Sequence, residues 1–337
     1  MARVLVRGAG IIGLSCADEL VRRGHDVTLV DPAPGRGASY AAAGMLSPSG
    51  EAWYGETGLL ALGRESLSLW PEYAARLGVD LHRTGTLLVG HDHGDRQQVE
   101  RQATLLTEHG IRADLLDRRS LRAHEPRLSA RVTGGVILPD DHSVDPRRVV
   151  AALLARHEVV PEAPDGDWDV TVIATGARLP EPFGGLVRGV RGEIVRARSD
   201  DPPARTVRAW VHGEPVYVVP RPDGGVVIGA TSEEHDAPPV ATVGGVSRLL
   251  EAARELLPGL DRAELAEVTA RDRPGTPDNL PLVGPSGVSG VVLAAGHFRH
   301  GVLLAPLTAR LVADHVETGA VDPALDPSRF AASAHDH

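Results

Sequence analysis

The sequence contains 337 residues, of which 42% are hydrophobic and 24% are charged, and its formal net charge is −10 at pH 7. These values are typical of a folded protein with a substantial core, and the negative charge gives no reason to expect nucleic acid or an anionic lipid surface as a partner. No apolar segment approaches the roughly 20 residues that span a bilayer, so we expect a cytoplasmic protein.

The chain has one cysteine and no lysine, and this composition excludes several kinds of chemistry. Cys16 is the single cysteine, which excludes an intrachain disulfide and a cysteine-rich metal site, and we predict that it packs in the core. All 35 basic residues are arginine. Without lysine the chain can form no Schiff base, and it lacks the phosphate-binding lysine of a Walker-type ATP site.

The N-terminal stretch RVLVRGAGIIG has the pattern of a dinucleotide-binding turn between a strand and a helix. Gly8 permits a tight turn, Gly10 lets the backbone approach a pyrophosphate, and Gly13 lets the helix press on the sheet. The helix N-terminus supplies N–H groups for the phosphates, and Asp31, after the second strand, can accept hydrogen bonds from a ribose. The negative charge of Asp31 disfavours NADP, but the motif alone leaves NAD and FAD open.

Later segments favour FAD. The loop GASYAAAGMLSP (37–48) has small side chains that suit close approach to a flat ring, and strand-like segments of the nucleotide-binding type recur at WDVTVIATGA (168–177) and GVVLAAGHFRHGVLLAP (290–306). We predict an α/β fold, with a Rossmann-like FAD-binding domain assembled from discontinuous segments and a β-rich α+β substrate domain. The FAD-binding domain comprises 1–80, 144–188 and 268–330, the substrate domain comprises 81–143 and 189–267, and 331–337 form a C-terminal tail.

Further polar residues receive structural interpretations. The stretch HDH occurs at 91–93 and at 335–337, and we interpret these histidines as surface residues rather than metal ligands. Asp140 and Asp141 are interpreted as turn formers. We therefore predict no metal site.

The sequence resembles the glycine/D-amino-acid oxidase family, most closely its bacterial glycine oxidase branch. The matching stretches are GAGIIG (8–13), AAAGMLSP (41–48), VYVVPR (216–221), GGVVIGAT (224–231), RPGTPDNLPLVGP (273–285) and AAGHFRHGVLLAPLTA (294–309). The chain departs from this family in the short segment 160–168, where relatives carry a longer β-meander against adenine. It also has His300 where close relatives often have asparagine.

The resemblance implies that Tyr217 and Arg273 bind the substrate carboxylate and that Arg299 lines the substrate and flavin site. It implies non-covalent FAD, because the late cysteine of covalent-flavin sarcosine oxidases is missing. The implied FAD contacts are Gly8, Gly10, Ile11, Ile12, Gly13, Asp31, Ala38, Ser39, Ala43, Gly44, Met45, Gly176, His297, Arg299, His300, Gly301, Val302 and Leu303.

The implied reaction is hydride transfer from a small amino acid, such as glycine, to FAD, with O2 as the final acceptor and no protein nucleophile. The N-terminus of the last helix, at Gly301, is expected to face the negative charge of reduced flavin, and Arg299 is expected to add positive charge there. The product would be an imine that hydrolyses to glyoxylate and ammonia or supplies the thiazole moiety of thiamine.

Three alternatives stay open. One is an oxidase of another small amine, such as sarcosine, proline or a D-amino acid. Another is a dehydrogenase that passes electrons to an acceptor other than O2, and a third is a non-catalytic dinucleotide-binding protein. The sequence also leaves open whether the chain forms a homo-oligomer.

Overall fold

The computed structural model describes residues 1–330. The predicted tail at 331–337, with its HDH stretch, lies outside the described residues. None of the helices from residue 1 to residue 330 is both long and apolar enough to cross a membrane. The α-helices of this part are α1 (Ile11–Arg22), α2 (Ala38–Ala41), α3 (Thr57–Leu77), α4 (His93–Glu108), α5 (Arg118–His124), α6 (Pro146–Leu154), α7 (Val243–Leu256) and α8 (Gly301–Thr318).

A six-stranded, mainly parallel sheet contains the N-terminal strand. Its order is β16 (Leu282–Pro285), β17 (Val291–Ala295), β10 (Val170–Ile173), β1 (Arg3–Arg7), β2 (Asp26–Val30) and β9 (Val159–Val160). All neighbours are parallel except β16 and β17. Arg7 at the end of β1 is in register with Val30 and Ile173, so the carboxyl ends of three strands meet at one edge. Ligands of open α/β sheets bind at this edge, and the predicted Rossmann-like arrangement is confirmed.

Helices α1 and α8 pack against each other and share the core of this sheet. The apolar residues of α1 recur at helical spacing, and Leu14, Ala17 and Leu20 are fully buried. Cys16 is buried in the same helix, and burial raises the pKa of its thiol to about 12. The prediction that Cys16 is a packing residue is confirmed.

An eight-stranded sheet forms the second large layer. Its order is β15 (Glu264–Gly275), β11 (Arg188–Arg198), β14 (Gly225–Gly229), β13 (Glu214–Pro220), β12 (Thr206–Val211), β5 (Thr86–Gly90), β7 (Gly134–Leu138) and β6 (Asp114–Asp117). All pairs are antiparallel except β5 and β12. Helix α7 packs against the core of this sheet. A small sheet of β3 (Met45–Leu46), β8 (His142–Val144) and β4 (Leu81–His82) follows the small-residue loop.

The division of the chain into two domains stays a prediction, but the pairing of strands shows where one of its boundaries falls. The boundary placed at 268 falls inside β15, which pairs with β11 from residue 264 to residue 275. That boundary divides a strand that belongs to the eight-stranded sheet along its whole length. The apolar pattern of this twelve-residue strand does not show to which sheet it belongs. Arg273 therefore projects from the eight-stranded sheet.

The histidine stretch at 91–93 differs from its prediction. His93 is exposed and begins α4, but only 4% of His91 is exposed. The ring of His91 packs against that of His212, in the turn between β12 and β13, with the ring centres 4.9 Å apart. The prediction that His91 is a surface residue is wrong, because a turn distant in sequence covers it.

Candidate active site

A cleft of about 930 Å³ is lined by residues from both large sheets. The carboxyl ends of β1 and β2 form one end of it, and strands β11 to β13 and β15 form another part of its wall. All three predicted substrate residues, Tyr217, Arg273 and Arg299, lie on this cleft. The predicted FAD contacts that also line it are Gly8, Gly10, Ile11, Ile12, Asp31, Ala38, Ser39, Ala43, Gly44, Met45, Gly176, His297, Arg299, Gly301 and Val302.

Three predicted FAD contacts, Gly13, His300 and Leu303, do not line the cleft. A side chain at Gly13 would place its Cβ 1.8 Å from the carbonyl oxygen of Gly8, so this glycine permits close packing of α1 beneath the turn. Leu303 is buried, and its carbonyl accepts hydrogen bonds from Ser66 and Trp70 of α3 at 2.6 and 2.9 Å. These residues lie behind the cleft wall.

The dinucleotide end of the cleft fits a pyrophosphate and a ribose. Gly10 and Ile11 line the cleft at the N-terminus of α1, where Gly10 has no side chain to cap the helix. The hydroxyl of Ser39 accepts a hydrogen bond from the backbone N–H of Ile11 at 3.0 Å. The carboxylate of Asp31 accepts hydrogen bonds from the backbone N–H of Ala9 at 2.7 Å and of Ala33 at 2.8 Å. Each carboxylate oxygen keeps a further lone pair for a ribose hydroxyl, and the backbone N–H groups that follow Ile11 in the first turn of α1 can bind phosphate.

Three arginines hold the small-residue loop in place. The guanidinium of Arg196 lies 3.2–3.3 Å from the carbonyl oxygens of residues 40–42. Arg221 donates to the carbonyl of Ala43 at 2.5 Å, and Arg147 donates to that of Tyr40 at 2.9 Å. Burial and the neighbouring arginine charges lower the pKa of Arg196 to about 10. None of these arginines is a predicted site residue, because each comes from an element distant from the loop.

Arg273 is one of three arginines on the cleft, with Arg7 and Arg271, that form no ion pair among residues 1–330, and it is the one whose charge acts on the Tyr217 hydroxyl. Its Nη1 donates to the carbonyl of Thr231 at 3.1 Å and more weakly to that of Arg191 at 3.4 Å. No carboxylate within residues 1–330 forms an ion pair with it, and its Nε and Nη2 make no hydrogen bond to these residues. The Tyr217 hydroxyl has a raised pKa, mainly because of burial, and stays protonated as a hydrogen-bond donor.

Two glycines make room for these side chains. A Cβ at Gly192 would lie 2.3–2.4 Å from three atoms of the Arg273 guanidinium, and a Cβ at Gly229 would lie 2.4 Å from the Tyr217 hydroxyl. Gly229 is the cross-strand partner of Tyr217. Neither glycine is a predicted site residue. The stretch GGVVIGAT contains Gly229, but the need for a glycine there depends on the Tyr217 side chain of the neighbouring strand β13.

We expect Gly192→Ala to raise KM for the amino-acid substrate by about tenfold or more, because the new methyl group displaces Arg273 and weakens a charge-assisted hydrogen bond. Steady-state kinetics at fixed flavin content measures this effect. Gly189→Ala, on the same strand, is the matched control, since its Cβ would meet only the Asp272 side chain, at 3.3 Å or more, and would not reach Arg273. Equal KM values for the two variants would contradict this role of Gly192.

Arg299 lines the cleft, but its charge is paired. Its guanidinium forms an ion pair with the Glu56 carboxylate and a hydrogen bond to the carbonyl of Glu51 at 3.3 Å. Asn279 donates to the other Glu56 oxygen at 2.7 Å. A carboxylate from the segment before α3 therefore pairs with the positive charge that Arg299 is expected to add beside the flavin, and the role of Arg299 stays a prediction.

Glu51 is a buried carboxylate on the cleft that is not among the predicted site residues. It accepts a hydrogen bond from Arg208 at 2.7 Å, and its other oxygen lies 3.4 Å from Nδ1 of His300. Burial raises the pKa of Glu51, but nearby positive charge, first that of Arg208, lowers it by a larger amount. The net shift of the pKa is therefore downward. Burial lowers the pKa of His297 to about 3 and that of His300 to about 4, so both imidazoles are neutral at pH 7.

Asp141 lies at the end of the turn after β7, where its backbone N–H donates to the carbonyl of Leu138 at 3.4 Å, so it belongs to a turn as predicted. Its side chain is fully buried, and it accepts hydrogen bonds from the hydroxyl of Ser47 and from the backbone N–H of Gly50 at 3.2 Å. The carboxyl group therefore also fixes the turn that leads into Glu51. Burial raises its pKa to about 7, despite the hydrogen bonds that oppose the shift.

The raised pKa of Asp141 predicts a dependence of stability on pH. The carboxyl stays protonated in the native chain up to about pH 7 but ionises near 3.8 when the chain unfolds. The native state thus binds more protons across this range, and stability falls as the pH rises. Relative to Asp141→Asn, the free energy of unfolding should fall by up to about 1.4 kcal/mol per pH unit between these values. Urea unfolding measures it, with exposed Asp140→Asn as control.

Comparison with known proteins identifies the family of this chain. The sequence profile of the FAD-dependent oxidoreductase family (DAO) matches residues 3–315. A Rhizobium etli protein named as a thiamine biosynthesis oxidoreductase, ThiO, is 36% identical over 94% of this chain and 97% of its own length. A glycine oxidase of Geobacillus kaustophilus is 31% identical over 98% of this chain and 97% of its own length.

The crystal structure of glycine oxidase from Geobacillus kaustophilus superposes on this chain with a TM-score of 0.86 and 30% sequence identity, and the match covers 100% of both chains. The family profile spans both large sheets and the whole cleft. The predicted family, fold and FAD cofactor are thus confirmed. This chain belongs to the family of FAD-dependent oxidoreductases.

Proposed function

We propose that this chain oxidises glycine, or an amino acid of similar size, with FAD as hydride acceptor and O2 as final electron acceptor. One observation carries the proposal: the guanidinium of Arg273 has no carboxylate partner within the described residues and lies on the same cleft as the dinucleotide turn. A free cation beside a cofactor site is suited to an acidic substrate. The names of the similar Rhizobium and Geobacillus proteins support glycine and thiamine biosynthesis.

Arg273 and Tyr217 would orient the substrate through its carboxylate. The planar guanidinium offers two parallel donors, Nε and Nη2, which fix rotation as well as position. The protonated hydroxyl of Tyr217 is a further donor on the same cleft. Gly301 and His297, at the N-terminus of α8, line the same cleft.

FAD, when bound, would supply the acceptor for the hydride of the α-carbon and would pass the two electrons to O2, which with two protons gives H2O2. The amine loses one proton to solvent as the C=N bond forms. Water hydrolyses the resulting imine to glyoxylate and ammonia. No protein nucleophile is required, and we assign no side chain as a general base. In a cell, the imine would supply the thiazole moiety of thiamine.

The other functions differ in measurable ways. Oxidases of sarcosine, proline or D-amino acids would share Arg273 as carboxylate anchor but prefer another amine. A dehydrogenase would produce no H2O2 in air. A non-catalytic nucleotide-binding protein would have no use for an unpaired Arg273 beside the Tyr217 hydroxyl.

The test is H2O2 and ammonia formation by the purified holoenzyme in air, with glycine, sarcosine, D-alanine and L-proline at equal concentrations. We expect glycine to give the largest kcat/KM and one H2O2 for each O2 consumed. Preference for another amine would contradict glycine as the substrate. Turnover with an artificial quinone but no H2O2 in air would make the chain a dehydrogenase. Growth of a thiamine-requiring strain that lacks its own glycine-oxidising enzyme tests the biosynthetic role.

A further inference from the structure

Outside the cleft, three side chains from distant elements meet at the end of the eight-stranded sheet. His91 directly follows β5, His212 lies in the turn between β12 and β13, and Glu255 is near the end of α7. None of them lines the cleft. The donor atoms of these three residues lie within 4.8 Å of one another.

We propose that His91, His212 and Glu255 bind a divalent transition-metal ion, with Zn²⁺ as the best match. Nε2 of His212 lies 2.9 Å and Nε2 of His91 lies 3.5 Å from the same oxygen of Glu255. Tetrahedral ligands with bonds of about 2.0–2.1 Å are separated by about 3.3 Å. Small side-chain movements therefore suffice for all three to reach one ion.

The state of His91 points independently to a ligand. Only 4% of the residue is exposed, and neither ring nitrogen has a hydrogen-bond partner among residues 1–330. The 3.5 Å separation from Glu255 is too long for a good hydrogen bond. A buried imidazole without a partner is unfavourable, and coordination through Nε2 would satisfy one of its two ring nitrogens.

The surroundings of His212 match those of a metal ligand. Its Nε2 faces Glu255, and its Nδ1 lies 3.5 Å from a carboxylate oxygen of Asp92. Metal-bound histidines usually donate their second ring N–H to such a carboxylate, which fixes the tautomer and the ring orientation. The backbone N–H groups of His212 and Gly213 donate to the Asp95 carboxylate at 2.9 and 2.8 Å, so the turn itself is anchored.

The ligand set selects the kind of ion. Two imidazoles and one carboxylate suit Zn²⁺ and neighbouring transition metals, whereas Mg²⁺ and Ca²⁺ prefer oxygen ligands. The side chain of His212 is 58% exposed, which leaves a position open to water. The ion would join the β5–α4 junction, the β12–β13 turn and α7. It would thereby stabilise the sheet that carries Tyr217, and the prediction of no metal site is revised accordingly.

Zn²⁺ titration of chelator-treated, full-length holoenzyme tests the proposal by calorimetry and thermal unfolding. All proteins in this test, including the reference protein, contain the substitutions His335→Ala and His337→Ala, so that the tail contributes no histidine ligand. We expect one Zn²⁺ per chain, a higher Tm with Zn²⁺ and no rise with Mg²⁺. His91→Gln and His212→Asn should each weaken Zn²⁺ binding by at least about 100-fold. This loss is larger than that expected for a residue that only contacts a metal ligand.

Two further variants keep the test independent of folding. Asp92→Asn preserves a good helix cap but removes the carboxylate charge 3.5 Å from Nδ1 of His212, so we expect a loss of affinity of about 10-fold or more. His93→Ala, an exposed neighbour, should bind Zn²⁺ normally. Retained flavin absorption verifies that each variant is folded. Absence of stoichiometric binding, or binding unchanged in both His91→Gln and His212→Asn, would overturn the proposal.

Discussion

Arg273→Ala is expected to lower kcat/KM for glycine by about 100-fold or more and to raise KM by at least about tenfold, while FAD stays bound. The reason is that the guanidinium has no acidic partner within residues 1–330 and lines the cleft beside Tyr217. A single charge-assisted hydrogen bond contributes about 1.5–3 kcal/mol, and a bidentate pair also fixes the orientation of the reacting carbon. Steady-state kinetics with H2O2 detection measures both constants.

Two control variants separate charge from geometry. Arg273→Lys keeps the positive charge but loses the planar fork, so we expect a kcat/KM between those of the native chain and Arg273→Ala. Arg248→Ala removes an arginine that pairs with Glu233 on the surface and should leave the kinetics unchanged. Native kinetics in Arg273→Ala would refute the assignment of this residue.

Gly13→Val is expected to abolish most FAD binding. A Cβ at this position would lie 1.8 Å from the carbonyl oxygen of Gly8 and 3.3 Å from the Cβ of Ala174, so α1 must move away from the strands that form the dinucleotide turn. Overpacking of this kind costs about 1–3 kcal/mol or more, and the displaced helix end no longer offers its N–H groups to the pyrophosphate.

The ratio of flavin to protein absorption after purification, before and after reconstitution with FAD, measures this loss. Gly185→Ala is the control, because a Cβ there meets nothing within 4 Å and the residue is exposed. Circular dichroism shows whether the Gly13→Val chain is folded. A folded variant with a full complement of flavin would show that close packing at Gly13 is not needed for the cofactor.

The dinucleotide end of the cleft could be predicted because its determinants are local. The glycine spacing after β1, the helical period of α1 and the acid after β2 all lie within the first 31 residues. The cap of α6 is similarly local: Asp145 accepts a hydrogen bond from the backbone N–H of Arg147, and Pro146 occupies the first turn, a pattern that favours the start of a helix.

The polar network at the substrate end could not be predicted, because its partners are far apart in the chain. Glu51 and Arg208 are 157 positions apart, and no periodic pattern connects them. Gly192 matters only because β15 brings Arg273 against it. His91 is buried because the turn at His212 packs on it. Each case depends on which strands are neighbours, which the spacing of residues along one segment does not determine.

The central claim is that one cleft holds FAD and, at Arg273, the carboxylate of a small amino acid. Anaerobic addition of glycine to the purified holoenzyme tests it most directly, with the visible flavin absorption as the readout. We predict that the absorption is bleached at a rate that saturates with glycine and that admission of O2 restores it. A protein that binds no flavin even after reconstitution, or a flavin that neither glycine nor another small amino acid bleaches, would contradict the account.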